Sequence, residues 1–182
     1  MGEQGATRRR TTRSAASTRA HPPAGPPAAG PAHVAFVLTQ VGALAAMGFA
    51  DQLVPLGLTP AHAGLLRAVA ANPGRSQQAV ATELGVLPSR LVALVDELEQ
   101  DGLLERRRNP GDRRHHALHL SAEGEARLLD IGRAAQRNAD AYLAPLDAKE
   151  QDLLGQLLDR LAAAHGLAPG VHPGFRALGR DR

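Results

Sequence analysis

The densest group of side chains able to bind a polyanion lies between residues 105 and 116. This segment holds five arginines against only Glu105 and Asp112. Guanidinium groups bind phosphate oxygens well, and an adjacent carboxylate can hold one guanidinium in a fixed orientation for a DNA minor groove. The residues of this segment that we expect to reach DNA are Arg106, Arg108, Asp112, Arg113, Arg114 and His115.

The histidines near this segment do not predict a metal site. His115, His116 and His119 have a suggestive spacing, but adjacent residues of a strand point to opposite faces, and no convergent carboxylate completes a ligand set. The chain has no cysteine, which excludes disulfides and thiolate ligands. We therefore expect neither a metal ion nor a cofactor.

The sequence also lacks the motifs of common enzymes. It has no nucleophile motif of the Ser or Cys type, no glycine-rich phosphate loop and no clustered carboxylate pair. We expect a binding protein that is not an enzyme.

Two short helices precede the basic segment. Thr59 is a natural N-cap for a helix that ends near Ala71, and Ser76 caps a helix over residues 77–84. Gly85 suits a turn that needs positive φ, and a further helix follows through Leu98. This order of elements is typical of a helix-turn-helix.

The second helix of this pair divides into an apolar and a polar face. Its apolar face comprises Leu91, Leu94, Val95 and Leu98, and the opposite face could enter a major groove. The solvated face of an ordinary helical hairpin is the alternative. The residues of the two helices that we expect to bind DNA are Ser76, Gln77, Gln78, Ser89, Arg90 and Ala93.

The next segment favours the DNA-binding interpretation. Residues 103–108 are predicted to form a strand, residues 109–112 (Asn-Pro-Gly-Asp) a turn, and residues 116–120 a returning strand. A charged hairpin directly after a helix-turn-helix is a wing. Residues 58–121 are therefore predicted to be a winged helix-turn-helix domain.

The remaining segments predict a tail at each end and helices that pair subunits. Residues 1–32 are basic and proline-rich and are predicted to be disordered, with a phosphate-tracking arm as the alternative. Residues 34–50 are almost uncharged, but at about 17 residues they are marginal for a membrane span. We expect a helix buried in a core between subunits, and no membrane or signal segment. Residues 33–57 and 122–166 should form a helical dimerisation region, with 167–182 as a flexible end.

The prediction of a dimer rests on a stripe of leucines along the last helix. A helix capped by Asp147 should run to about His165. Its apolar stripe suits a partner helix, with an intramolecular core as the alternative. The members of the stripe are Leu153, Leu154, Leu157, Leu158 and Leu161.

The stretch from Leu58-Thr59-Pro60 to Leu120-Ser121-Ala122-Glu123-Gly124 resembles the MarR family of bacterial transcriptional regulators. The most specific pieces are residues 103–108 leading into Asp112-Arg113-Arg114, and the Leu-Ser-Ala-Glu-Gly junction. The resemblance implies a cytoplasmic homodimer that binds a pseudo-palindromic double-stranded DNA site, usually as a repressor released by a small ligand. It further implies that Arg113 or Arg114 enters the minor groove, oriented by Asp112. In the family's layout His33, Phe36 and His62 would lie near the junction of the dimerisation and DNA-binding regions, where a small ligand would bind, with a surface or structural role as the alternative for both histidines.

Two features depart from the family pattern. The recognition helix has Ala93 and Glu97 where basic residues are common, so base readout is hard to assign. The first helix is rich in Gly and Ala, which predicts close helix packing or a roomy cavity beside it. A winged-helix module that serves protein contact, and a DNA binder without an effector, remain as alternatives.

Overall fold

A computed structural model describes residues 30–108, 116–167 and 170–172 and confirms the mostly helical, winged helix-turn-helix fold. Its helices and strands, with a 3₁₀ turn at Val54–Leu56 after the first helix, are α1 (Pro31–Leu53), α2 (Pro60–Ala71), α3 (Gln77–Leu84), α4 (Pro88–Gln100), β1 (Leu104–Arg108), β2 (His116–Leu120), α5 (Ala122–Leu143) and α6 (Ala148–Ala164).

By its internal contacts the chain divides into two units, with the boundary between Leu38 and Thr39 inside α1. The described part of the first unit is Gly30 and the first turns of α1, whose side chains are exposed. The second unit begins at Thr39 and contains all the other elements.

Helix α1 is longer than the predicted 34–50 segment. It begins at Pro31, because proline fits the first turn of a helix, and it ends at Leu53. Together with the 3₁₀ turn, Pro31–Leu56 is long and apolar enough to cross a bilayer by length and composition alone. Within the described residues no other single helix has these properties.

The helix caps lie where the sequence placed them. The Thr59 hydroxyl accepts from the His62 N–H at 3.2 Å, and the Ser76 hydroxyl accepts from the Ala79 N–H at 3.2 Å. Ser121 and Asp147 cap α5 and α6 in the same way. Each cap satisfies a backbone donor that has no partner within its own helix.

Helices α3 and α4 form the helix-turn-helix. Gly85 has φ +66°, and the chain bends by 113° between the two helices, which lies within the usual range for this motif. Strands β1 and β2 then pair in antiparallel fashion, from Leu104 opposite Leu120 to Arg108 opposite His116. The bridge between Ser76 and Ala117 ties this ribbon to the start of α3.

An aliphatic core holds the winged domain together, as expected for a chain with only 2% aromatic residues. Its largest fully buried side chains come from α2, α3, α4 and the two strands, with Leu53 from the end of α1. Helix α5 adds Ile131 and Ala134. The fully buried leucines are Leu53, Leu65, Leu66, Leu84, Leu91, Leu98, Leu104 and Leu118.

Helix α1 approaches α5 closely at Gly48, as the small residues of α1 predict. A Cβ atom there would lie 2.7 Å from both Asn138 Oδ1 and Tyr142 Oη. Both side chains donate hydrogen bonds to α1 carbonyl oxygens, Tyr142 to Leu44 at 2.7 Å and Asn138 to Ala45 at 3.1 Å. Glycine at position 48 therefore allows the two helices to be joined by these bonds.

The leucine stripe of α6 is not part of an intramolecular core. Leu153, Leu157, Leu158 and Leu161 are exposed, and Leu154 is half-buried. The alternative of an intramolecular core for this stripe is therefore wrong for the single chain. Within the predicted flexible end, residues 167–182, Val171 packs against the core of the second unit, whereas residues 168–169 and 173–182 lie outside the described residues.

Candidate nucleic-acid interface

Helix α4 presents the two faces that its sequence predicts. Leu91, Leu94, Val95 and Leu98 are buried. On the other side Ser89 and Arg90 are exposed, and Ala93 is half-buried. Ser89 and Arg90 lie in the first turn, which is the part of a recognition helix that meets base edges.

The start of α3 offers a second group of polar side chains. Gln78 is exposed, whereas Ser76 and Gln77 are half-buried and the Ser76 hydroxyl caps the helix. The Gln77 Nε2 atom is buried and has no hydrogen-bond partner among the described residues. The donor capacity of the Gln77 amide is thus unused by the described residues.

Arg106 does not extend freely from the wing. Its guanidinium is hydrogen-bonded to the carboxylates of Asp96 and Glu99 on α4, and its side chain is only 18% exposed. Burial lowers the pKa of Arg106, but the bonds to Asp96 and Glu99 together outweigh it and raise that pKa above its ordinary value. The geometry favours a role in joining β1 to the recognition helix over the predicted direct contact with phosphate.

Arg108 has a different environment. It is exposed at the end of β1, opposite His116. Its neighbour Arg107 is paired with Glu105, with 2.9 Å between Nε and Oε2. Arg108 is therefore accessible to solvent, and its phosphate contact stays a prediction.

The carboxylate of Glu97, a departure from the family pattern, is held by His62. The Nε2 atom of His62 lies 2.8 Å from Glu97 Oε2, and the Nδ1 atom accepts from the Thr59 N–H at 3.4 Å. His62 is buried and connects the start of α2 to α4, a geometry that favours the structural alternative over the predicted ligand-binding role. Thr59 and His62 form a capping box, in which each side chain accepts from the backbone N–H of the other residue. In the sequence, the three-residue spacing between them indicates this motif.

The remaining predicted residues fall into two groups. Asp112, Arg113, Arg114 and His115 lie outside the described residues. His33 and Phe36 lie in the first unit, on the exposed first turns of α1.

A cavity of about 430 Å³ lies within the second unit, between α1, α2 and α5. Its walls are largely apolar, with Phe49, Leu128 and Ile131 as the large side chains, and Arg67 and His172 add polar groups. This volume is within the usual range for small-molecule pockets. In the described ranges no cluster of three or more metal-ligating side chains occurs.

The bent α3–α4 pair, the exposed first turn of α4 and the basic two-stranded ribbon define a winged helix-turn-helix protein. Residues 56–115 match the MarR family. The HTH-type transcriptional repressor Rv2887 of Mycobacterium tuberculosis is 31% identical over 133 residues, which is 72% of this chain and 95% of the relative. The chain belongs to the MarR family.

Another relative is the putative transcriptional regulatory protein for the hcr operon of Thauera aromatica. It is 39% identical over 105 residues, which is 58% of this chain. The chain matches only 63% of the length of this relative, which is less than two thirds.

Solved structures of CouR share the fold. CouR bound to a 23-mer DNA duplex is 35% identical, with a TM-score of 0.63 and coverage of 71% of this chain and 92% of CouR. CouR from Rhodococcus jostii RHA1 bound to p-coumaroyl-CoA is 29% identical, with a TM-score of 0.60 and coverage of 72% and 90%.

Proposed function

We propose that this protein is a sequence-specific, double-stranded DNA-binding transcriptional regulator. It acts as a homodimeric repressor whose DNA affinity is changed by a small ligand. The observation that carries the proposal is the exposed first turn of α4, with Ser89 and Arg90, beside the arginine-rich ribbon. The relatives named as transcriptional regulators or repressors, and CouR bound to DNA, support it.

Charge on the recognition helix fits this function. Asp96 and Glu99 would repel phosphates if they pointed freely from α4, but both are bonded to the positively charged guanidinium of Arg106. Their repulsion of DNA is therefore reduced, while Arg90 and Arg108 stay exposed. The carboxylates serve to position α4 on the domain.

The exposed apolar side chains support a homodimer. In the second unit they include Val41, Leu44 and Met47 on α1, in addition to the leucine stripe of α6. Soluble proteins rarely leave large apolar patches exposed, and a partner protomer would cover them. We propose the same partner contact, rather than a bilayer, for the apolar surface of α1, and a cytoplasmic location for the protein.

The proposed mechanism follows from the two-fold symmetry of the dimer. Two recognition helices of a dimer must lie about 34 Å apart to enter successive major grooves of B-DNA. A ligand that binds a dimer with a different spacing lowers DNA affinity in proportion to its preference for that state. The cavity beside α2 and α5 is a candidate site for such a ligand, and CouR bound to p-coumaroyl-CoA supports the existence of a ligand.

A mobility-shift titration tests this function. The wild-type protein should shift a fragment of its own upstream region at low salt, and the logarithm of its affinity should fall by about 0.9 for each phosphate contact as log salt rises. Substituting Arg113 and Arg114 with Ala should weaken this binding. If the affinity for DNA is unchanged after both substitutions and a protein partner is still bound, the result would favour a module that serves protein contact.

The proposal assigns the protein no catalytic activity and no cofactor. The described geometry gives the cavity apolar walls with one arginine and one histidine. These groups suit binding, whereas nucleophilic catalysis needs a nucleophile paired with a base.

A further inference from the structure

The chain turns back towards the winged domain after α6 ends. Gly166 follows α6 with φ +62°, and the N–H of Leu167 donates to the carbonyl oxygen of Ala162 at 3.0 Å. A left-handed residue of this kind ends a helix and redirects the chain. Gly170 and Val171, here called the latch, come next among the described residues, and Val171 packs against the hydrophobic core of the second unit.

The latch lies over a groove between α2 and α3. Glu83 and Leu84 form the α3 side of this groove, and a space of about 230 Å³ remains between them and the latch. The Nη2 atom of Arg67 lies 3.5 Å from the position of a Cβ atom at Gly170, whose φ of +75° suits glycine. The α2 side consists of small residues at helical spacing, which let another segment approach the helix closely. These residues are Gly64, Ala68 and Ala71.

Helix α3 depends on support from its neighbours. It has eight residues and is the shortest α-helix of the described chain, and a helix of this length is not stable in isolation. Arg75 is paired with the Glu83 carboxylate, and Leu84 lies beneath the latch, directly before the turn at Gly85 that leads into α4. The latch therefore adds support at the end of α3 that positions the recognition helix.

We propose that the groove between α2 and α3 is a docking surface for the latch of the same chain, and that the docked latch holds α3 and α4 in the position that binds DNA. When the latch leaves the groove, α3 opens more often and the fraction of molecules competent to bind DNA falls. Only residues 165–169 separate the latch from α6, so docking also restrains the winged domain relative to the helix proposed for dimerisation. The inference rests on the proposed DNA binding, but it concerns a segment outside the matched residues 56–115.

Hydrogen exchange of the full-length protein, followed by mass spectrometry, tests the docking. Val171→Asp should release the latch, because a carboxylate loses its hydration in a groove lined by Leu84 and Glu83. The amides of α3 should then exchange about tenfold faster, which corresponds to the loss of one half-buried valine, whereas those of α5 keep their wild-type rates. Val54→Asp, the same change at a valine that is 70% exposed, is the control. Equal exchange of α3 in the two variants would overturn the docking.

Mobility shifts with the upstream DNA test what the latch does. Val171→Asp should bind this DNA about threefold more weakly than Val54→Asp, which carries the same added charge, and with the same salt dependence, because no phosphate contact is lost. Val171→Ile keeps an apolar side chain in the groove and should retain the wild-type affinity. An affinity of Val171→Asp equal to that of Val54→Asp would overturn the role of the latch in DNA binding.

A second variant makes the test independent of a buried charge. Gly170→Ala strains the backbone of the latch at φ +75° and leaves Val171 in place. It should change the exchange of α3 and the DNA affinity in the same direction as Val171→Asp. Wild-type exchange and affinity in Gly170→Ala would contradict the proposal if Val171→Asp fails to fold.

The wild-type protein separates the two possible failures. If it ignores its upstream DNA at low salt, the proposed function fails, and the exchange of α3 still decides whether the latch docks. If it binds this DNA and the two Val→Asp variants behave alike, only the inference about the latch fails.

Discussion

The Nε2 atom of His62 on α2 lies 2.8 Å from the Oε2 atom of Glu97 on the recognition helix. Since the Nδ1 atom accepts from the backbone N–H of Thr59, the proton of the neutral ring is on Nε2 and is donated to Glu97. One buried ring therefore completes the cap of α2 and fixes the orientation of α4. The DNA-reading helix is thereby attached to the helix that lines the cavity.

The first prediction concerns this pair. His62→Ala should lower the free energy of unfolding by about 2 kcal/mol, because it removes a buried side chain and leaves the Thr59 N–H without its acceptor. Glu97→Ala should cost about 0.5 kcal/mol, because its carboxylate is largely exposed. Urea unfolding of both single variants and the double variant measures the coupling, expected at about 0.5 kcal/mol. His165→Ala, at an exposed histidine, is the control. If the changes in unfolding free energy of the two single variants simply add in the double variant, His62 and Glu97 are not coupled.

The second prediction separates the roles of Arg106 and Arg108. Arg106→Gln should weaken DNA binding without changing its salt dependence, because its guanidinium acts through Asp96 and Glu99. Arg108→Gln should reduce the slope of log affinity against log salt by about 0.9 for each phosphate that the side chain no longer neutralises. Mobility shifts at several salt concentrations measure both slopes. A reduced slope for Arg106→Gln would mean that this residue contacts phosphate directly.

The third prediction concerns pH and again uses Arg106. The pKa of Arg106 is raised in the folded chain, so its contribution to stability is fully present below the unfolded value and is lost only as pH rises through the folded value. Both values lie far above neutrality, since arginine is protonated up to about pH 12. The difference in unfolding free energy between wild type and Arg106→Gln should therefore stay constant from about pH 6 to pH 9. A difference that shrinks across this range would point to another titrating partner.

Much of the winged domain could be predicted because its signals are local. Thr59, Ser76 and Asp147 stand directly before the helices that they cap, and Gly85 occupies the one turn position that requires positive φ between α3 and α4. The strand that begins at His116 was also placed correctly. Each of these features depends on a few neighbouring residues.

The partners of Arg106 and His62 could not be predicted in the same way. Arg106 bonds residues seven and ten positions away, and His62 bonds a residue 35 positions away. A guanidinium in a basic hairpin carries no local mark that distinguishes a phosphate contact from a bond to an adjacent helix. The contact of Val171 with the core is equally non-local, and the Gly- and Pro-rich C-terminal composition pointed away from it.

The fourth prediction tests the proposed dimer surface on α6. Leu157→Asp combined with Leu161→Asp should convert the protein to a monomer, because two charges would have to be buried against the partner protomer. Light scattering after size-exclusion chromatography measures the mass, and DNA affinity should fall with it. Gln156→Asp, on the same helix and already exposed, should leave the dimer intact. A double variant that keeps the mass of the wild type would place the interface elsewhere.

The fifth prediction concerns the glycine of the Leu-Ser-Ala-Glu-Gly junction. A Cβ atom at Gly124 would lie 2.0 Å from the carbonyl oxygen of Leu103, which already accepts from the Ser121 N–H at 3.2 Å. Gly124→Ala must therefore displace backbone at the point where β1, β2 and α5 meet, and should lower the free energy of unfolding by about 3 kcal/mol. Gly132→Ala, where the same helix is open, should raise it by up to about 1 kcal/mol through helix propensity. Thermal and urea unfolding measure the stability of both variants. The two substitutions are chemically identical, so equal changes in unfolding free energy would show that contact with Leu103 does not determine the need for glycine at position 124.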